Sequence, residues 1–176
     1  LRQLGRMKRA ASMGRILRHL VTDYSSMRHA FPPATLSAIE AAVTEGETTH
    51  AGEVRFVVEP SLQLRGLLQG VGSRERAVHL FGELRVWDTE DNSGVLIYVL
   101  LADRRVEIVA DRGIHQRVGT AAWMGICHSM QEAFRVRQFK AGSLEGVAAV
   151  NELLAKHFPP NQNNPNELPN RPVVLD

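Results

Sequence analysis

Cysteine is almost missing from this sequence: Cys127 stands alone among 176 residues. No disulfide can close within the chain, and a zinc site built on several thiolates is excluded. A reducing compartment fits this scarcity, with the periplasm left open. Long apolar runs are missing too. The longest, Val95 to Ala102, has eight residues, against roughly 20 for a helix that spans a bilayer. No transmembrane helix is expected. The basic start lacks the apolar stretch of about 7–15 residues that marks a secretory signal. The expected location is cytoplasmic or peripheral on a membrane. Export stays open, because the chain begins with Leu1 rather than Met.

Several catalytic signatures are also absent. Gly66, Gly70 and Gly72 are not followed by Lys-Ser or Lys-Thr, so they form no phosphate-binding loop, and GxGxxG and GxSxG do not occur. Cys127 and His128 are helix neighbours pointing about 100° apart, which argues against a Cys–His dyad and for Cys127 as a small core residue. His79, His115 and His157 lack metal-ligand spacing.

What is present is one domain's worth of chain, 19.5 kDa with 44% hydrophobic and 23% charged residues, enough to bury a core. Charge is uneven. Residues 1–31 hold seven basic residues against Asp23, so this segment is +6 and the remainder −4, for a net +2. Such a segment is drawn to anionic surfaces. Leu4, Met7, Ala11, the stem of Arg15, Leu17 and Leu20 trace a loosely amphipathic helix. It would lie on a membrane surface, or dock on a membrane protein complex, or stay solvated. No aromatic residues interleave the basic ones, so nucleic acid is not an expected partner.

Three segments follow from this reading: the basic 1–31, a folded unit over 32–158, and a tail over 159–176 rich in proline and asparagine. Helices are predicted at 34–45, 73–86 (Ser73 as N-cap), 115–135 and 143–157 from apolar spacings of three and four. Gly52 to Glu59 alternates as a strand apart from Val57, and 95–101 reads as a central strand buried on both faces. Arg105 to Ala110 follows a two-residue turn, Asp103-Arg104, to complete a hairpin. The expected fold is α/β: a three-layer α/β/α sandwich with a small mixed central sheet, made of a βαβ crossover plus an antiparallel hairpin.

That topology gathers distant residues. The crossover makes its two strands parallel, so their starts share a rim with the end of the third strand. His50 and Glu53 come there from the first strand. Asp88, Glu90, Asp91 and Asn92 come from an acidic loop, and Asp111 from the hairpin, placed opposite Leu96 and close to Gly94. Several carboxylates with an amide oxygen suit a hard divalent cation, calcium or magnesium. Glu53, Asp88, Asp91, Asn92 and Asp111 are the candidate ligands. Asp91 and Asp111 are the candidate catalytic acids. His50, Arg112 and Arg117 are candidates for holding a small phosphorylated substrate, beside a helix start near 115. Structural roles stand beside these: acidic loops are commonly solvated turns, Asp111 doubles as a helix cap, and His50 as a loop histidine.

Trp87-Asp88-Thr89-Glu90-Asp91-Asn92-Ser93-Gly94, the apolar strand after it, the Asp103-Arg104 turn and a strand ending before Gly113 together resemble the TPM domain family. The likeness covers about residues 34–158 and looks closest to the short bacterial members, which end in a stretch like Asn166-Glu167-Leu168-Pro169. The resemblance implies an α/β/α sandwich. It also implies acidic motif positions at Asp88, Asp91, Asn92, Asp103 and Asp111, with Ser93 where an Asn is common. Some members are described as acid phosphatases, some bind calcium, and many carry a signal peptide and a C-terminal transmembrane helix, which this chain does not show. Two functions follow as expectations: a metal-assisted phosphatase acting on phosphomonoesters, or a non-catalytic module that assists assembly or maintenance of membrane protein complexes.

Overall fold

A computed structural model describes residues 13–160 and 165–175. Three helices come first among the described residues: α1 (Met13–Val21), α2 (Tyr24–Ala30) and α3 (Pro33–Glu47). Strand β1 (Glu53–Glu59) leads through α4 (Leu64–Leu68) and α5 (Ser73–Glu83) to β2 (Gly94–Leu100). The hairpin partner β3 (Arg105–Ala110) is followed by α6 (Arg112–Val118), α7 (Thr120–Arg135), α8 (Phe139–His157) and the two-residue β4 (Val173–Val174). No helix among the described residues is long and apolar enough to cross a membrane.

The sheet runs in the order β3-β2-β1-β4. β1 and β2 are parallel with Glu53 level with Gly94, and β2 and β3 are antiparallel. Side-chain alternation explains the layers. Val54, Phe56 and Val58 of β1, with Val95, Ile97 and Val99 of β2, face the cluster formed with α3, α7 and α8. Val57, Leu96, Tyr98 and Leu100 face the opposite cluster, which includes Leu67 of α4 and Ala77 and Leu80 of α5. Val57 interrupts the polar side of β1 for this reason: both faces of that strand are covered. β2 is buried at all seven positions. Each such Val, Leu or Ile contributes about 1.5–3 kcal/mol by leaving water. The molecule is an α/β sandwich with a four-stranded mixed sheet.

Several boundaries differ from the sequence reading. The long helix after β3 is broken by Gly119, whose φ of +82° suits glycine. Helix α8 starts at Phe139, four residues early, because the Phe139 ring packs 5.7 Å from Phe31 and 5.3 Å from Phe134. Gly72 is the N-cap of α5, and the Ser73 hydroxyl instead donates to Glu107 Oε1 at 2.6 Å. Cys127 packs partly buried against the core, and burial pushes its thiol up to about 11, so it is no reactive thiolate.

The two ends are fastened by polar bonds. In the tail, Val173 pairs with Val57, Leu175 N–H donates to Val58 O at 2.9 Å, and Arg55 Nη1 donates to the Pro169 and Arg171 carbonyls. In α1, Arg15 Nε and Nη2 donate to Asp103, the latter at 2.7 Å, and His19 Nδ1 accepts from Leu62 N–H at 2.9 Å. Burial of Asp103 opposes its ionisation. The hydrogen bonds and charge of Arg15, with the His19 hydrogen bond beside them, outweigh that and hold its carboxyl below the usual range. The expected stripe placed the Arg15 stem with Leu17 and Leu20; Arg15 instead faces the body. Leu4, Met7 and Ala11 of that stripe lie outside the described residues.

Candidate functional site

The parallel start of β1 and β2 puts Glu53, Gly94 and Asp111 on one rim, as the topology requires. The register of the hairpin is two residues from the expected one. A four-residue connection, Leu101 to Arg104, pairs Leu100 with Arg105 in place of a two-residue turn. Asp111 therefore lies beside Gly94 rather than Leu96, and its N–H donates to Gly94 O at 2.8 Å. Asp103, at the other end of the hairpin, belongs to the opposite rim with Arg15.

The acidic loop is shaped by its own polar groups. Arg85 and Asn92 have φ of 53° and 51°. Ser93 N–H donates to Thr89 Oγ1 at 3.1 Å, and the buried Ser93 hydroxyl donates to Ala51 O at 3.1 Å. These bonds bend the loop against the start of α6, where Asn92 O accepts from Ile114 N–H at 3.3 Å. Gly113 permits the approach: a Cβ there would come within 2.6 Å of Asn92 O and 3.1 Å of Asp91 O. Asp88, Asp91 and Asn92 are exposed on this loop. Asp111 caps α6, with Oδ1 accepting from Arg112 N–H at 2.5 Å, while Oδ2 is shielded from water and has no hydrogen-bond partner. A carboxylate oxygen left that way is unfavourable unless a cation or proton meets it. Among the described residues, no three His, Cys, Asp or Glu side chains are grouped to hold a metal ion. A cation at this rim would therefore draw on Asp111 together with loop oxygens, a donor class that suits calcium or magnesium.

Three other candidates have different work. His50 is fully buried; its Nδ1 accepts from Gly52 N–H at 3.2 Å and its Nε2 faces Asn151 Oδ1 at 3.1 Å. Burial lowers its pKa, so it sits as a neutral strut out of a substrate's reach. Glu53 is buried, and its two oxygens accept from the N–H groups of Glu167 and Leu168 at 3.1 Å each. Its ligand reading gives way to one of holding the tail. Arg117 donates to His157 O at 2.6 Å and stacks 4.4 Å from the Phe158 ring centroid, which ties it to the end of α8. Arg112 remains exposed on the first turn of α6.

Two acids at this rim escape sequence reading. Glu167, from the tail, accepts from Glu90 N–H at 3.1 Å and so holds the acidic loop. Glu47, at the end of α3, accepts from Val54 N–H at 3.1 Å. Burial, with the Glu53 charge adding, pushes its carboxyl from 4.5 up to about 7. A folded-state pKa above the unfolded one means that the stability it confers is complete below about pH 4.5 and lost as pH rises through about 7. Glu47→Gln should remove that loss, a difference of up to roughly 3 kcal/mol at pH 8 at 1.36 kcal/mol per pKa unit. Thermal melts of both proteins at pH 5 and pH 8 check this; parallel pH dependences would contradict it.

The opposite rim carries a second polar constellation. Buried Glu59, at the end of β1, accepts from Tyr98 Oη at 2.5 Å and from Arg76 Nη2 at 2.9 Å. Burial, with the Glu59 charge next, drives the Tyr98 hydroxyl far above its usual pKa, so it stays a donor. A cleft of about 440 Å³ adjoins this pair, lined by Gln63, Arg65 and His79 among others.

Residues 21–153 match the family described as the TPM domain. Among solved structures, the NMR structure of the BA42 protein from the psychrophilic bacterium Bizionia argentinensis is similar. It is 29% identical with a TM-score of 0.70, covering 80% of this chain and 92% of that one. The N-terminal domain of a P. gingivalis protein is 22% identical with a TM-score of 0.60, covering 74% and 82% respectively, which supports the fold alone. A comparison with curated proteins returned no match. The family match spans most of the chain and takes in β1, β2, β3, the acidic loop and Asp111: this chain belongs to the TPM domain family.

Proposed function

We propose that this TPM domain binds a divalent cation, calcium or magnesium, where Asp111 meets the oxygens of the loop that carries Asp88, Asp91 and Asn92, and hydrolyses small phosphomonoesters there. The observation that carries this reading is the water-shielded Oδ2 of Asp111, which has no donor and lies on the residue joining β3 to the helix that the acidic loop abuts. When bound, a cation supplies electrostatic stabilisation of charge on phosphoryl oxygens. The chain's own residues do the rest. Asp111 offers Oδ2 to the cation, while its Oδ1 stays fixed by the α6 cap. Asp91, on the exposed loop, supplies the catalytic carboxylate that takes a proton from water. Arg112 supplies the guanidinium for the phosphate.

A non-catalytic role in assembling membrane protein complexes is the second reading. It is favoured by Arg117 being spent on α8 and by the tail lacing the rim through Glu53 and Glu167. One experiment separates the two. Turnover of p-nitrophenyl phosphate and thermal melts are measured with and without calcium or magnesium, for the wild type and for Asp91→Ala combined with Asp111→Ala. The expected result is cation-dependent turnover, and a rise in Tm on the order of 5 °C at about a hundredfold excess over Kd, both lost in the double variant. Background turnover in every sample removes the enzyme reading and leaves the assembly module. An unmoved wild-type Tm removes the cation site.

A further inference from the structure

Helix α1 is mounted the reverse way from an ordinary surface helix. Its inward side is polar: Arg15 bonds Asp103 and the Val71 carbonyl, and His19 accepts from Leu62 N–H with its other ring nitrogen 3.1 Å from Asp103. Residues half a helical turn away point outward. They are Met13, Leu17, Leu20 and Val21, and they are 60% to 80% exposed. Two more exposed leucines, Leu64 and Leu68, lie on α4, which packs beside α1. A helix that turns its leucines to solvent and holds its arginine and histidine against the body has its apolar side free for something else.

Charge says what that something is. Arg18 is exposed on the flank of the apolar side. Four further basic residues, Arg2, Arg6, Lys8 and Arg9, precede the helix in the chain with no acid among them. Apolar residues bordered by cations are the chemistry of a helix that lies in the headgroup region of an anionic bilayer. A second copy of the chain on the same face would bring two +6 segments together, which repel.

We propose that the outer face of α1 is a docking surface for an anionic lipid membrane, with its leucines entering the headgroup boundary and Arg18 on its flank meeting lipid phosphates. This stands on α1 alone and holds for either reading of the acidic rim. The Arg15–Asp103 bond sets the orientation: it keeps the helix on the body with its apolar side outward.

The full chain is sedimented with vesicles of phosphatidylcholine alone, and with about 30% phosphatidylglycerol added. The wild type is compared with Leu17→Glu combined with Leu20→Glu. Both positions are exposed, so an unchanged thermal melt is expected and checks the fold. The proposal expects binding to the anionic vesicles only, weakened by salt, and reduced by roughly tenfold or more in the double variant. Absence of wild-type binding, or equal binding by the double variant, overturns it. Concentration-dependent dimers that the double variant abolishes, without vesicle binding, also overturn it and assign the face to a second copy.

Discussion

Gly94→Ala should destabilise the fold by at least about 3 kcal/mol, at or beyond the upper end of what overpacking a core does. A Cβ on Gly94 would stand 1.9 Å from the Val86 carbonyl oxygen and 3.0 Å from its carbon. The obstacle is backbone, so no rotamer change relieves it. Either β2 must leave its register with Glu53 and Asp111, or the segment after α5 must move with its buried Val86. In the first case the Gly94 O acceptor of Asp111 N–H is displaced, and in the second the acidic loop that begins after Val86 shifts. Gly82→Ala is the control. Nothing stands within 4 Å of a Cβ there, and it lies inside α5, where alanine favours the helix by up to about 1 kcal/mol. Denaturant melts should separate the two variants widely; a Gly94→Ala protein as stable as wild type would show that the contact is not tight.

Arg76→Ala should have the next largest effect, about 3–4 kcal/mol. That is the lower part of the range of about 3–5 kcal/mol for breaking a buried pair, because Arg76 is itself 24% exposed. It leaves Glu59 buried with the Tyr98 hydroxyl as its remaining close donor. With its cation gone, buried Glu59 disfavours ionisation in the variant, so the cost of the substitution should be larger at pH 8 than at pH 5. In a Glu59→Gln background the same arginine substitution should be milder by 1 kcal/mol or more, because no charge is left stranded. Melts of the four proteins at pH 5 and pH 8 test both statements. Additive costs with no pH dependence would show that the pair does not act as a unit.

These two sites also mark where sequence reasoning succeeds and stops. The β1–α5–β2 crossover is legible, because alternation in 53–59 and the run after Gly94 leave few other arrangements, and the parallel start of the two strands follows from it. The hairpin register is not legible. Asp103-Arg104 reads as a two-residue turn, and the positive φ of Arg104 that builds a four-residue connection has no local signal in an arginine. Gly119 is one of two glycines in the pattern over 115–135, with Gly125, and nothing marks it as the break. At the rim, Asp88, Asp91, Asn92 and Asp111 can be assembled by chain direction alone. Glu167 cannot, since its N–H reaches Glu53 across 114 positions, nor can the Asn151 partner of His50, 101 positions away. Residues that satisfy buried polar groups across such separations are fixed by packing, and no periodicity announces them.

The closing residues of the described chain carry two loads at once. Glu167 and Leu168 hold the acidic rim through Glu53 and Glu90, and a few positions on, Val173 and Val174 complete the sheet beside β1. Trimming or tugging this strap would unzip a strand border and loosen the carboxylate loop in a single event, so the domain has no means of freeing one without exposing the other.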